Sequence, residues 1–356
     1  MKLGVLLTFL LALVLNVSAQ SGRIKQVETP TPKLSAPRPN VKYVPTQERT
    51  LPASLPTISP TPKKPDDADE VITVDSTLVP IPVSVVDNSG RAVSTLSLAD
   101  FELQIDGKTA EISELSRSQT PIRLAMLFDN SSSVLIAREF EKDAAMKFFR
   151  RIIRPEKDLA ALYSVATVTR LEQGFTSDVS ALTRSIEAFP MPIGATALLD
   201  GLIDSATYLR EVPGRRVIVI VSDGDDTASE STIEAVMKEL QIANAQVYVV
   251  KTTDFENYKR TGQRAGNANL RQLAAERRMA EIARQTGGAV YSPLDERELD
   301  EAFRQISAEL SQQYILSYYP ENESDKRGQF RNISLTVKGK PNLNVRTRNG
   351  YYVPRK

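Results

Sequence analysis

The chain has 356 residues and a formal net charge of +1, and it contains neither cysteine nor histidine. Without cysteine there are no disulfides, so a folded domain must be held by a hydrophobic core, which the 41% hydrophobic content can supply. The absence of histidine excludes most zinc sites, Ser-His-Asp triads and Cys-His dyads. Basic and acidic residues are interspersed, so the sequence has no basic cluster that indicates binding to nucleic acid or anionic membranes.

Residues 1–19 have the pattern of a secretory signal peptide. An early lysine precedes an apolar stretch from Val5 to Leu15, and small residues follow up to Ala19. The apolar stretch is too short to span a bilayer. We therefore predict cleavage near Ala19 and an exported protein, periplasmic or extracellular, with no transmembrane segment.

Residues 20–69 are predicted to be a linker. Prolines recur from Pro30 to Pro65 among threonine, serine and lysine, with few large apolar side chains. Such a segment cannot bury enough apolar surface to offset the entropy of ordering it. In polyproline II geometry, at about 3.1 Å per residue, it would be a semi-rigid stalk. A disordered leader fits the same composition equally well.

Two regions, 70–120 and 313–356, have the two-residue alternation of antiparallel strands. Turn signals such as Asp87-Asn88-Ser89-Gly90 separate the runs, and two prolines, Pro80 and Pro82, indicate an edge strand. Neither region is large enough to bury a face alone, so we predict that they pair into one small β-sandwich. The predicted strands are 71–74, 79–86, 101–105, 314–319, 330–338 and 343–353.

Between these regions, residues 121–312 alternate strands with helices. This order predicts an α/β domain with a doubly wound, mostly parallel sheet covered by helices on both faces, inserted between the halves of the sandwich. Residues 254–269 are polar and irregular, which indicates either a surface insertion beside the carboxyl edge of the sheet or a solvated loop, and we favour the loop. Strands are predicted at 123–128, 159–166, 217–222, 247–250 and, more weakly, 289–291, and helices at 134–153, 270–286 and 295–312.

Three segments of this domain end in oxygen-bearing side chains. The apolar strand 124–128 runs into Asp129-Asn130-Ser131-Ser132-Ser133, Thr196 lies on a glycine-containing loop, and a second aliphatic run ends at Asp223. Ligands bind outside the carboxyl ends of parallel strands, so the two aspartates are expected at one edge of the sheet. Carboxylate and hydroxyl oxygens suit Mg²⁺.

This constellation resembles the von Willebrand factor type A (VWA) family, whose metal-ion-dependent adhesion site combines Asp-x-Ser-x-Ser with a later Thr and Asp. The resemblance covers about 121–310, and Ser132 stands where many members have glycine. The segments Asp100-Phe101-Glu102, Gln313-Tyr314 and Asn349-Gly350-Tyr351-Tyr352-Val353 carry a less specific resemblance. It covers about 70–354 and is to VWA-related proteins secreted by acidobacteria and related bacteria, whose function is largely unassigned. The metal ligands that the resemblance implies are Asp129, Ser131, Ser133, Thr196 and Asp223.

The resemblance implies a binding module rather than an enzyme. Mg²⁺, or Mn²⁺ or Ca²⁺, would keep one open coordination position, which an Asp or Glu of a partner protein completes. The resemblance also implies that tightening of Thr196 or Asp223 onto the metal moves helix 295–312. Two alternatives are an envelope structural protein whose metal only stabilises the fold, and a Mg²⁺-dependent hydrolase. The hydrolase lacks an evident base, unless Asp225 or Asp226 serves as one.

Overall fold

The structure is a computed structural model that describes residues 78–117, 119–132, 138–263, 270–320 and 326–353. The predicted signal peptide, the predicted linker, the predicted strand at 71–74 and Ser133 lie outside these ranges. Within the described ranges, no helix combines the length and the apolar character that crossing a bilayer requires.

The described residues form fourteen strands and seven α-helices. The strands are β1 (Val79–Val86), β2 (Phe101–Ile105), β3 (Lys108–Ala110), β4 (Glu114–Arg117), β5 (Ile122–Asp129), β6 (Leu159–Val165), β7 (Arg170–Thr176), β8 (Arg215–Ser222), β9 (Gln246–Lys251), β10 (Val290–Tyr291), β11 (Tyr314–Tyr318), β12 (Phe330–Val337), β13 (Asn344–Thr347) and β14 (Gly350–Tyr352). The helices are α1 (Arg138–Ile152), α2 (Val179–Glu187), α3 (Leu198–Arg210), α4 (Ile233–Ala243), α5 (Thr253–Thr261), α6 (Leu270–Thr286) and α7 (Glu296–Gln312).

The centre of the α/β region is a six-stranded sheet in the order β10-β9-β8-β5-β6-β7. All neighbours are parallel except β7, which runs antiparallel to β6. If β5 to β10 are renumbered 1 to 6 and the sheet is read from β7, the strand order is 3-2-1-4-5-6, which is that of a doubly wound fold. Alternate side chains of β5 face opposite layers: Met126 packs in one hydrophobic cluster with α1, α2 and α7, and Leu127 in another with α3, α4 and α6. The predicted α/β class with a mostly parallel sheet is confirmed.

The loop predicted over 254–269 is wrong in its first half, because α5 occupies Thr253–Thr261. This helix is polar except for Phe255, which is fully buried and meets the ring of Phe140 at a centroid distance of 6.0 Å. A single buried side chain gives no helical periodicity that a sequence pattern can reveal. The helix ends at Gly262, whose φ of +70° is the left-handed conformation that glycine adopts easily.

Two four-stranded antiparallel sheets accompany the α/β region, in the orders β13-β1-β11-β4 and β14-β12-β2-β3. Each contains strands from both sides of that region in the sequence: β1 pairs with β11 and β13, and β2 pairs with β12. Side chains from both sheets contribute to one hydrophobic cluster, which includes Val83, Leu103, Leu316 and Ile333.

The edge position predicted for β1 from Pro80 and Pro82 is wrong, since β1 lies between β11 and β13. Both prolines pair only with β11, whereas β13 pairs with the proline-free half from Val83 onward. Because Pro80 and Pro82 lack N–H groups only where β13 does not pair with β1, no hydrogen bond between β1 and β13 is lost. The single strand predicted at 343–353 is instead two strands, β13 and β14, which belong to different sheets.

A buried polar junction connects the α/β region to the sheet that contains β1. Arg215, at the start of β8, donates to the Gln313 side chain over 2.7 Å and to the Leu310 carbonyl oxygen over 2.6 Å. Gln313 in turn donates to the Ser84 hydroxyl in β1 over 2.9 Å. Burial lowers the pKa of Arg215 to about 10, so the guanidinium stays charged at neutral pH.

Candidate metal centre

The predicted metal ligands that the structure describes lie at the carboxyl edge of the central sheet. Asp129 is the last residue of β5, and Asp223 follows the last residue of the adjacent parallel strand β8. Thr196 precedes Ala197, the N-cap residue of α3, on the loop that reaches this edge. The structure therefore brings Asp129, Ser131, Thr196 and Asp223 to one edge, whereas Ser133 lies outside the described residues.

Asp129 is fully buried. One carboxylate oxygen accepts a hydrogen bond of 2.9 Å from the Ser131 backbone N–H, and the other accepts one of 2.6 Å from the Ser222 hydroxyl. Burial raises the pKa of Asp129 to about 6, and the nearby Asp223 carboxylate adds to this rise, although both serines act in the opposite direction. Ionised Asp129 is thus a charge held in a poorly solvated position beside a second carboxylate.

Hydrogen bonds join the first loop to the loop that carries Thr196. The Ser132 hydroxyl donates to the Gly194 carbonyl oxygen over 3.0 Å, and Ile193 N–H donates to the Asn130 carbonyl oxygen over 3.2 Å. Gly194 has a φ of +79°, a left-handed conformation that favours glycine at this turn. These contacts fix the distance between the Asp129 turn and the Thr196 loop.

The Thr196 loop is joined in the same way to the loop after β8. The Thr196 carbonyl oxygen accepts from the N–H groups of Thr227 and Ala228 at 2.9 and 3.0 Å, and the Thr196 N–H donates to the Thr227 hydroxyl over 3.0 Å. All the bonds of this contact use backbone atoms of Thr196, so none of them involves its hydroxyl. The three loops therefore form one connected frame at the sheet edge.

The donor set of this frame fits a hard cation. Two carboxylates, Asp129 and Asp223, lie among hydroxyl-bearing residues, and the buried side-chain oxygen of Asn130 has no hydrogen-bond partner. Among the residues that the structure describes, no three Asp, Glu, His or Cys side chains are grouped so as to hold a metal. A cation would therefore be held by at most two carboxylates together with neutral oxygens, as is usual for Mg²⁺, which keeps several waters.

The two acids named above as candidate bases are engaged in other contacts. Asp225 forms an ion pair of 2.6 Å with Arg271. Asp226 accepts from the Leu199 N–H over 2.8 Å, at the first turn of α3, and from the Ser229 hydroxyl over 2.7 Å. Both carboxylates thus hold loops in place.

One acidic residue at this edge was not predicted. Glu141 lies in the first turn of α1 and is fully buried, and neither of its carboxylate oxygens has a hydrogen-bond partner. Burial raises its pKa well above the usual value, and Glu256 and Asp129 raise it further. A sequence signal existed, because position 141 is in phase with the apolar residues Ala145 and Phe148 of the same helix.

No protein-family model matches the chain, and no curated protein matches it in sequence. Among solved structures, the vWF domain of the type V pili tip protein Mfa5 from Porphyromonas gingivalis is 13% identical with a TM-score of 0.41, over 53% of this chain and 95% of that one. The conserved hypothetical protein BatB from Bacteroides thetaiotaomicron is 14% identical with a TM-score of 0.39, over 52% and 97%.

The PilB minor pilin from Streptococcus sanguinis is 14% identical with a TM-score of 0.42, over 58% of this chain and 64% of the pilin. The chain thus spans less than two thirds of that pilin's length. At these identities, each similarity concerns the fold alone. The strand order of the central sheet is that of a doubly wound domain, which is the fold class that the sequence predicts for this region.

Proposed function

We propose that this chain is an exported, non-enzymatic binding protein that holds a divalent cation at the carboxyl edge of its central sheet. The cation captures an acidic side chain of a partner protein. The observation that carries this proposal is Asp129, a fully buried carboxylate whose pKa is raised by burial and by the neighbouring Asp223. The structure tolerates this unfavourable pair of charges, and a bound dication is the simplest reason for keeping it.

In this proposal, Asp129 and Asp223 supply the negative charge, and the hydroxyls of Ser131, Ser133 and Thr196 complete the protein's share of the ligands. Two carboxylates offset a dication, while neutral hydroxyls leave its attraction for a further carboxylate undiminished. When bound, the metal supplies a positive point at which a partner's Asp or Glu is recognised. The protein residues hold that point at the surface and fix its position through the connected loops.

We also propose a domain arrangement that presents this edge to partners. Residues 70–120 and 313–356 form one β-sandwich, with the α/β domain 121–312 inserted between its halves. The pairing of β1 with β13 and of β2 with β12, and the hydrophobic cluster that both sheets share, support this arrangement. Residues 1–19 are the signal peptide, and the proline-rich segment 20–69 is a tether.

The first experiment measures cation binding by the mature chain, residues 20–356, after chelation. We expect Mg²⁺, Mn²⁺ or Ca²⁺ to raise the melting temperature of the wild type but not that of Asp223→Asn. Asp225→Asn is the matched control, since it removes a carboxylate two residues away that is already paired with Arg271. A melting curve that no divalent cation shifts would remove the metal from the proposal.

The second experiment tests the partner's chemistry with immobilised chain and labelled peptides that differ only in Glu or Gln at one position. We expect the Glu peptides to bind in Mg²⁺, and to be lost in EDTA and with Thr196→Ala, while Thr336→Ala, on an exposed position of β12, binds normally. Cation-induced stabilisation without any carboxylate preference would favour the structural role. Phosphoester turnover that disappears with Asp223→Asn would favour the hydrolase.

A further inference from the structure

We infer that a cavity between the α/β region and the antiparallel sheets binds a small organic carboxylate with an apolar body. The cavity has a volume of about 310 Å³, at the lower end of the range for small-molecule sites. It lies at the amino edge of the central sheet, where β8 and β9 begin, whereas the candidate metal centre lies at the opposite, carboxyl edge. The inference therefore does not depend on the proposed function.

The charge around the cavity is the first observation. Three arginines line it: Arg215 and Arg216, which begin β8, and Arg348, which lies between β13 and β14. Among the described residues, no Asp or Glu lines the cavity, and no carboxylate forms an ion pair with any of the three guanidiniums. Burial lowers the pKa of Arg348 to about 10, so this guanidinium also stays charged at neutral pH.

The acceptors that hold these guanidiniums are neutral. Those of Arg215 belong to the polar junction described above. Arg216 donates to the carbonyl oxygens of Leu209 and Ala243 at 2.9 and 3.0 Å. Arg348 donates to the Pro80 carbonyl oxygen over 2.9 Å. Carbonyl oxygens fix the orientation of a guanidinium but leave its positive charge uncompensated, which is unfavourable for a buried group.

The neighbouring Arg346 shows the contrast. It lies two residues before Arg348, and its guanidinium pairs with the buried Glu309 carboxylate at 2.8 Å. The protein thus supplies a carboxylate for Arg346 and none for the three arginines of the cavity. An anion bound in the cavity would supply the negative charge that these residues lack.

Incomplete hydrogen bonding in the cavity wall is the second observation. Arg215 and Gln246 are 6% and 3% exposed. The Nε–H of Arg215, the Nε–H of Arg348 and the side-chain oxygen of Gln246 are all buried without a hydrogen-bond partner. The protein alone therefore does not satisfy the polar groups of this wall. A small movement of the guanidiniums toward a bound carboxylate would give their Nε–H groups an acceptor.

The rest of the wall indicates the class of anion. Its larger part is apolar, with prolines and aliphatic side chains of β1 and Ile315 of β11. The Tyr351 ring also lines the cavity, and its centroid lies 5.5 Å from the Arg348 guanidinium carbon. A guanidinium matches both carboxylate and phosphate. Because an apolar wall penalises a double charge more than a single one, we expect a carboxylate whose apolar body packs on this wall.

The test titrates the mature chain, in EDTA, with 4-phenylbutyrate in a calorimeter. We expect one site per chain, and at least about tenfold weaker binding for 4-phenylbutanol, which has the same body without the charge, and for inorganic phosphate. Arg348→Gln and Arg216→Gln should each weaken 4-phenylbutyrate binding by a similar factor. Two variants are used so that one gives the result if the other fails to fold, as judged by circular dichroism.

Arg210→Gln is the matched control. Arg210 repels the Arg216 guanidinium electrostatically but pairs with Glu239 at 3.3 Å and does not line the cavity. Its replacement therefore removes a nearby positive charge from outside the cavity and should leave binding unchanged. Asp223→Asn should also bind 4-phenylbutyrate like the wild type, so failure of the metal proposal and failure of this inference are distinguishable.

Four results would overturn the inference. They are no binding by the wild type at millimolar 4-phenylbutyrate, equal binding of the alcohol, phosphate binding as tight as that of the carboxylate, and unchanged binding by folded Arg348→Gln and Arg216→Gln. A carboxylate of the chain itself, Asp75, lies three residues before Leu78, which lines the cavity. Binding that appears only with Asp75→Asn would assign the cavity to the chain's own carboxylate and overturn the inference as well.

Discussion

Replacing Asp129 by asparagine should stabilise the cation-free protein. The folded-state pKa of Asp129 is raised from 3.8 to about 6, so keeping this buried carboxylate ionised opposes folding at neutral pH. A difference of roughly two pKa units corresponds to about 3 kcal/mol at 1.36 kcal/mol per unit. Asparagine is neutral and of the same shape, and it can still accept from the Ser131 N–H and donate to the Ser222 hydroxyl.

The dependence on pH follows from the order in which the two states lose their protons. The unfolded chain ionises Asp129 near its ordinary pKa of 3.8, and the folded chain does so near 6. Between these values the folded state binds more protons, so the wild type loses stability as pH rises through this window. The advantage of Asp129→Asn should therefore be absent below about pH 4 and complete above about pH 7.

The measurement is thermal unfolding by circular dichroism in EDTA and in excess cation. About 3 kcal/mol corresponds to roughly 6–12 °C for a domain of this size. At one thousand times the dissociation constant, cation should reverse the ranking, because the wild type gains about 4.1 kcal/mol and the variant gains none. Glu139→Gln, which removes an exposed charge, should change neither curve. A cation-free Asp129→Asn that melts below the wild type at neutral pH, or an advantage independent of pH, would refute the reasoning.

Three further substitutions test the frame around the site. Burial alone would raise the pKa of Asp158, but hydrogen bonds, chiefly from Arg154, hold it below its usual value. Asp158→Asn should therefore lower the free energy of unfolding, measured in urea above pH 4, by about 3 kcal/mol. Its deficit should shrink as pH falls through that lowered pKa, and a constant deficit would contradict this. Glu309→Gln leaves the Arg346 guanidinium, 2.8 Å away, without its carboxylate, so the free energy of unfolding should fall by about 3 kcal/mol. An unchanged urea midpoint would show that solvent replaces the ion pair. Gly288→Ala places a methyl group against the carbonyl oxygen of Val247 and should lower the free energy of unfolding by at least about 2 kcal/mol. An unchanged melting temperature would mean that the backbone relaxes there.

Sequence patterns located the buried strands of the α/β region but not its exposed ones. The strands β5 and β8 are almost entirely buried, so each has an unbroken apolar run, which is visible without an alignment. By contrast, β7 (Arg170–Thr176) is an exposed or half-buried edge strand whose pairing with β6 is irregular. Its side chains follow no hydrophobic period, and only the neighbouring strand determines its conformation.

The same distinction holds at the candidate site. The positions of Asp129 and Asp223 follow from strand order alone, because adjacent parallel strands place their carboxyl ends at one edge. Glu141 was missed because its place on the apolar face of α1 is informative only once its surroundings are known.

Helix α7 connects the carboxyl edge of the central sheet to the junction with the antiparallel sheets. Its 17 residues, at 1.5 Å each, span about 25 Å, from the ion pair of Glu296 with Lys259 of α5 to the Gln313 side chain just beyond the other end. Displacing α7 along its axis would break the hydrogen bonds of Gln313 to Arg215 and Ser84, at a combined cost of about 3 kcal/mol. A cation at one hundred times its dissociation constant supplies about 2.7 kcal/mol even if it binds only the displaced state. At that cation concentration, the helix movement that the family resemblance implies is nearly balanced, and a partner that prefers the displaced state would favour it further.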